Sequence, residues 1–171
     1  MNAERLIMKY ITLILTMLVL VPLVAAAKVI VEAPEKCIQC GMDRTVFAQS
    51  RMLISYSDGT CSGVCSIHCA VTEMQQNGNR LVSSFMAADY STNKLIDSRT
   101  ANWVIGGSKS GVMTSEAKWA FAGMEDAQRF VTENGGMIRS FDQALDAASK
   151  EVIAQADEAL AVERELKREL R

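Results

Sequence analysis

The chain has 171 residues, 49% of them hydrophobic and 22% charged, the proportions of an ordinary globular protein. A formal net charge of −2 supplies no basic surface of the kind nucleic acid needs, so a nucleic-acid partner is not expected. Five cysteines are an odd number, so at least one stays free, pairs between chains or binds something.

At the N-terminus, Arg5 and Lys9 precede an apolar run over residues 11–24 that ends in Ala25-Ala26-Ala27. The run is short for a membrane span, which needs about 20 residues, and the alanines suit signal peptidase. A cleaved secretory signal over residues 1–27 is the expectation, with an uncleaved N-terminal anchor as the alternative. No cysteine follows the small residues, so a lipid anchor at this junction is not expected. Export makes disulfides permissible. Residues 28–171 suffice for one domain with a real core.

Residues 28–32 are β-branched enough for a short strand, which Pro34 ends. A strand is expected over 46–56, a hairpin turn at Asp58-Gly59 and a returning strand over 60–62, broken by Gly63. From Val64 the apolar residues Val64, Ile67, Val71 and Met74 take a helical spacing, closed by Asn77-Gly78-Asn79. Strands follow over 80–90 and 94–97, with a third apolar piece over 101–105. The loop Gly106-Gly107-Ser108-Lys109-Ser110-Gly111 has no phosphate-binding pattern and reads as a flexible connection. Strand character resumes over 112–121, a helix over 124–134 buries Ala127, Phe130 and Val131, and Gly135-Gly136 caps it before a closing strand at 137–139. Ser140 and Gln143 form a capping box for a helix that nothing interrupts as far as Arg171. Leu145, Val152, Ala159 and Leu166 fall seven apart, but polar Ser149 and Glu163 at companion positions favour a solvated helix or frayed tail over a coiled coil.

The chemistry concentrates in two stretches. Cys37-Ile38-Gln39-Cys40-Gly41-Met42 sets two thiols and a thioether within six residues, and Gly41 allows the positive φ that such a turn needs. Cys61, Cys65, His68 and Cys69 follow in one short run that holds the chain's only imidazole. Cys65 and Cys69, four apart, share a helix face near its N-terminus, where the macrodipole favours thiolate. Cys37, Cys40, Cys65 and Cys69 can equally be two structural disulfides, and His68 an ordinary surface histidine. A redox Cys-x-x-Cys is less favoured, because that motif usually opens a helix and Gly41 starts one poorly. Most methionines read as core fillers, but Met42 and Met113 flank loops and join the candidate donors. There is no carboxylate pair, Ser-His-Asp order or cofactor fingerprint, so binding is expected rather than catalysis.

Further pieces lie in order along the chain: Cys40-Gly41-Met42, Phe85-Met86-Ala87-Ala88-Asp89-Tyr90, Leu95-Ile96-Asp97 with residues 101–104, and Met113 after the glycine-rich loop. Ala120-Phe121, Ala127, Phe130, Gly135-Gly136 and Phe141 complete the set. In order and spacing these resemble the NosL-like family, accessory factors for nitrous oxide reductase, over residues 37–145. The chain departs from the family in lacking a lipobox cysteine, in carrying Val112 where a proline is expected, and in its extra thiols. The resemblance implies an α+β fold of two small strand–helix units with antiparallel sheet, here followed by a long C-terminal helix. It implies an exported, periplasmic or otherwise extracytoplasmic protein that binds monovalent copper for a client copper enzyme or another copper-delivery protein. By the motif carried over from that resemblance, Cys40 and Met42 would be the copper ligands.

The expected organisation is a signal over 1–27, a metal-binding domain over 28–146 and a helical tail over 147–171. The expected metal donors are Cys37, Cys40, Met42, Cys65, His68, Cys69 and Met113. The competing reading is a structural zinc- or disulfide-stabilised module that binds another protein, with Met42 as mere packing. Met42 separates the two, since zinc rarely takes a thioether and monovalent copper favours one. Homodimerisation is left open, and membrane contact is expected only if the N-terminal segment is retained.

Overall fold

The structure, a computed structural model, describes residues 31–170. The expected signal and residues 28–30 of the expected first strand lie outside that range, and Val31 and Glu32 are not in a strand. Among the described residues, two antiparallel sheets and three helices make an α+β fold. The first unit contains β1 (Met52–Tyr56), β2 (Cys61–Val64), α1 (Ile67–Gln76), β3 (Val82–Ala88) and β4 (Leu95–Asp97). The second contains β5 (Asn102–Ile105), β6 (Lys118–Phe121), α2 (Met124–Asn134) and β7 (Met137–Arg139), and α3 (Phe141–Glu169) follows. The sheet orders are β2-β1-β3-β4 and β6-β5-β7. Each unit is thus a hairpin, a helix and a strand that returns beside the first strand of the hairpin.

Strand alternation divides the interior into two clusters. On β5, Trp103 and Ile105 face a large core with α1 and the first sheet, while Val104 faces a smaller one under α2. On β6, Ala120 joins the first cluster, and Trp119 and Phe121 join the second. Tyr90 meets Trp119 and Phe130 edge-on at 5.0 and 4.9 Å between centroids, packing that favours the ring quadrupoles. Phe141 closes the join between units, tilted against Phe85 at 5.3 Å and Trp103 at 5.7 Å.

The hairpin at Asp58-Gly59 and the helix over 124–134 fall where the residues predict them, and Ser140 and Gln143 make both bonds of the capping box. Four expectations are corrected. Residues 44–50 form turns, so β1 begins only at Met52. Arg44 and Arg51 point into the protein there and use the turns to reach carbonyls, which outweighs the β-propensity of Thr45, Val46 and Phe47. Gly63 does not break β2 but lies inside it, because the Arg44 side chain passes over it. A Cβ there would come within 2.6 Å of Arg44 Nη1 and 2.7 Å of Pro34 Cδ. The helix starts at Ile67 after an extended Ser66 cap, so Val64 is buried from the strand and Cys65 precedes the helix. In the second unit, residues 111–117 are irregular and β6 starts at Lys118, since Ser115 and Glu116 turn aside to bond Glu151 of α3.

α3 buries Phe141, Ala144 and Ala148, whose 3–4 spacing lays small side chains on α1 and β5. Beyond Val152 it is exposed and continues as a solvated helix, rich in good helix formers and carrying the ion pair Glu163–Lys167. Among the described residues, no helix is long and apolar enough to cross a membrane.

Ile67, only 2% exposed, anchors α1 in the large core. Its apolar burial is worth about 1.5–3 kcal/mol, and an unpaired carboxylate in its place costs more again. Ile67→Asp is expected to abolish the cooperative thermal transition. A melt like that of the wild type would refute this packing.

Candidate metal centre

Residues 35–44 double back on themselves. Lys36 pairs with Asp43 as an antiparallel bridge, Arg44 N donates to Glu35 O at 2.8 Å, and Cys37 N donates to Met42 O at 2.8 Å. Gly41 N closes the tip on Cys37 O at 2.9 Å, and Gly41 has φ 76°, the left-handed region that a side chain disfavours. Ile38 N donates to Gly63 O at 3.1 Å, which lays the turn against β2 just before Cys65.

Arg44 fixes this arrangement from below. Its guanidinium is fully buried, and donates from Nε to Val64 O at 3.2 Å, from Nη1 to Glu32 O at 2.8 Å and Pro34 O at 2.5 Å, and from Nη2 to Met52 O at 3.1 Å. It pairs with the Glu32 carboxylate, which Arg51 approaches at 3.1 Å from the other side. A buried charge is tolerable only with such complete pairing.

The sulfurs of Cys37, Cys40, Cys65 and Cys69 converge, all within 4.8 Å of one another. Cys40 and Cys65 are 3.5 Å apart, and Cys65 and Cys69 are 3.6 Å apart. Three are buried, whereas Cys40 is exposed, and all are free thiols. They come from three places: the turn, the junction between β2 and α1, and the first turn of α1. Four sulfurs bound at about 2.3 Å around one tetrahedral ion lie about 3.8 Å apart, so the cluster needs little adjustment to hold one.

The thiols share their protons unequally. Cys37 is held far below an ordinary thiol, first because Cys65 and then Cys69 donate to its sulfur, with burial opposing and the Cys40 and Cys65 N–H groups assisting. Cys65 is pushed up to about 12, chiefly because its proton is held by Cys37. Cys69 is likewise raised, by Cys37 first and then by Cys65 and burial. The neighbouring thiols thus favour ionisation at Cys37 and oppose it at Cys65 and Cys69. Binding through Cys65 or Cys69 must displace a proton, so affinity is expected to rise with pH, about tenfold per unit for each proton released. Titrations between pH 6 and 8 measure this; a flat profile would mean that neither thiol binds.

The other sequence candidates lie elsewhere or at the margin. Met42 is half-buried and packs against the core cluster that includes Cys37, Cys65 and Cys69. His68 is buried on α1, outside the group of four sulfurs; its Nδ1 has no hydrogen-bond partner. Burial holds its pKa down, and the charges acting on it are those of Glu151 and Lys118. These two form an ion pair of 2.7 Å between α3 and β6. Met113 stands exposed in the second unit's long loop with φ 62°. Cys61 is exposed on β2, its sulfur 3.6 Å from Ser55 Oγ.

Arg44, Gln39 and Glu73 escape a search for metal donors, although they shape the site. The available signal was an acid, Glu73, four residues after Cys69 on a helix face that is otherwise apolar.

A family model described as NosL matches residues 28–149. Among solved structures, the chain is similar to one described as the crystal structure of the copper chaperone NosL from Shewanella denitrificans. The two are 20% identical with a TM-score of 0.53, over 67% of this chain and 92% of that one, a likeness that shows a shared fold. No curated protein matches the chain.

Proposed function

The chain belongs to the NosL family, and from that premise we propose that it carries monovalent copper outside the cytoplasm and delivers it to a copper enzyme of the nitrous oxide reductase kind. The observation that carries this reading is the cluster of four thiols with one member, Cys40, at the surface. Soft thiolates suit monovalent copper over hard cations, and the cluster contains no carboxylate or imidazole that would favour another choice. A carrier must also release its cargo. An exposed sulfur on a turn is where a partner's ligand can enter and replace one bond at a time. Met42, packed beside the buried thiols, is proposed as an accessory thioether donor. His68 and Met113 are not included in the proposed copper set, because the one faces an ion pair and the other lies in the second unit's loop. The signal over residues 1–27 is proposed to direct export, and the helical tail over 147–171 to remain outside the metal site.

A second reading has one observation in its favour: sulfur separations of 3.5 and 3.6 Å are close to the edge of a four-thiolate zinc site. In that reading the metal is structural and the protein's role is to bind another protein. Met42→Ala separates the two. Under anaerobic, reducing conditions, in competition with a copper(I) chelator, the variant is expected to bind copper about tenfold more weakly and zinc unchanged. Equal copper affinity in the variant and the wild type would reject Met42 as a donor. Tighter retention of zinc than copper by the purified wild type would favour the structural site.

A further inference from the structure

The turn that carries Cys37 and Cys40 is tethered to the helix that carries Cys69. Gln39, between the two cysteines, donates from Nε2 to Glu73 Oε2 at 2.6 Å. Glu73 lies one turn beyond Cys69, on the same face of α1, and is 2% exposed. Its other oxygen, Oε1, accepts from Tyr56 Oη at 2.9 Å and Ser62 Oγ at 2.8 Å. Arg80 lies 3.9 Å from the same oxygen and stacks on the Tyr56 ring, 3.5 Å from its centroid. The carboxylate is thus held by β1, β2 and α1 together, and it offers a fixed oxygen to a side chain of the sulfur turn.

The remaining bonds of the turn are made by its backbone, with Gly41 N closing the tip on Cys37 O. Cys37 is fixed by its N–H to Met42 O, and Ile38 by its N–H to Gly63 O. Cys40 and Gly41 are exposed at the tip. Gln39 is next to Cys40, whose sulfur lies 3.5 Å from that of Cys65, so the bond to Glu73 bears on the residue beside that sulfur. Tyr56, Ser62 and Arg80 all lie at Oε1, so it is Gln39, from the turn, that occupies Oε2.

We propose that Glu73 is a positioning residue for the metal centre, acting through Gln39 to set where Cys40 stands and how readily it lets go of the ion. The inference rests on reading the four thiols as a metal site. It makes the Gln39–Glu73 pair a determinant of release rate rather than of the fold.

The test exchanges donor and acceptor. Gln39→Glu sets two carboxylates against each other, whereas the double variant Gln39→Glu/Glu73→Gln restores one hydrogen bond with its direction reversed. A glutamine at 73 still presents an oxygen to Tyr56 and Ser62. Copper(I) transfer to excess chelator, the thiolate-to-metal absorption of the cobalt(II) form, and thermal melting are measured on the full chain. Gln39→Glu is expected to release copper about tenfold faster, the lower range of what one charge-assisted hydrogen bond contributes. It should also lose part of the cobalt charge-transfer band while melting near the wild-type temperature, and the double variant should return both to within about twofold. Gln39→Ala, which adds no charge, should show the same direction of change and guards against unfolding of the first variant. Wild-type release and spectrum in Gln39→Glu and Gln39→Ala, or no recovery in the double variant, would overturn the proposal. A wild-type chain that binds neither copper nor cobalt would overturn the metal reading itself, and does so before any variant is compared.

Discussion

Cys65→Ser is expected to abolish tight copper binding, lowering affinity at least about a hundredfold, while the metal-free protein melts near the wild-type temperature. The sulfur of Cys65 lies 3.5 Å from that of Cys40 and 3.6 Å from that of Cys69, so it stands within reach of an ion held between the turn and the helix. A hydroxyl has nearly the same size and can still hydrogen-bond the neighbouring thiols, which is why the fold should survive. It is a hard donor that stays protonated, so it forms no comparable bond to a soft cation. Cys61→Ser is the matched control, since that thiol is exposed on β2 outside the cluster, and should bind as the wild type does. Chelator competition without oxygen reads both. Wild-type affinity in Cys65→Ser would remove the β2–α1 junction from the site and leave the turn and Cys69 as the binding elements.

Arg44→Ala should cost about 3–5 kcal/mol of stability, the range for leaving a buried ionic partner uncompensated. The substitution strips donors from Glu32 O, Pro34 O, Met52 O and Val64 O together, and leaves the Glu32 carboxylate with Arg51 only. It also opens a cavity above Gly63, whose missing side chain is what made room for the guanidinium. Against a typical total of about 5–15 kcal/mol, such a loss brings the domain near its unfolding threshold. Arg44→Lys should recover little, because a single ammonium cannot span acceptors on strands and turn at once. Urea unfolding of the metal-free protein measures the effect, and copper should restore part of the loss by binding the folded state. A change below about 1 kcal/mol would show that the turn and β2 hold together without Arg44.

Much of the architecture was legible because it is written locally. Asp58-Gly59, Ser140 with Gln143, and the apolar positions of the 124–134 helix each act within a few residues, and each forms in the structure where it was expected. Three of the four corrections sit where a distant partner intervenes. Residues 44–50 give up strand geometry so that Arg44 and Arg51 can reach carbonyls. Gly63 looks like a strand breaker until the guanidinium over it is seen, and residues 111–117 bend away because Glu151 of α3 holds Ser115 and Glu116.

The same division runs through the site. The residue types alone determined that this chain offers soft sulfur donors in two clusters, and that a thioether beside Cys40 separates copper from zinc chemistry. Which sulfurs meet was decided by tertiary structure. The spacing places Cys65 on the helix with Cys69, but the helix start after Ser66 puts it at the strand end, where its sulfur reaches both Cys40 and Cys69. His68 is one residue from Cys69, yet it lies beside the Lys118–Glu151 pair instead of joining the sulfurs. Sequence spacing sets which side chains share a face of one element. Convergence from a turn, a strand end and a helix depends on how Arg44, Gly63 and Glu73 dock those elements, and each of them acts on partners well outside its own stretch of chain.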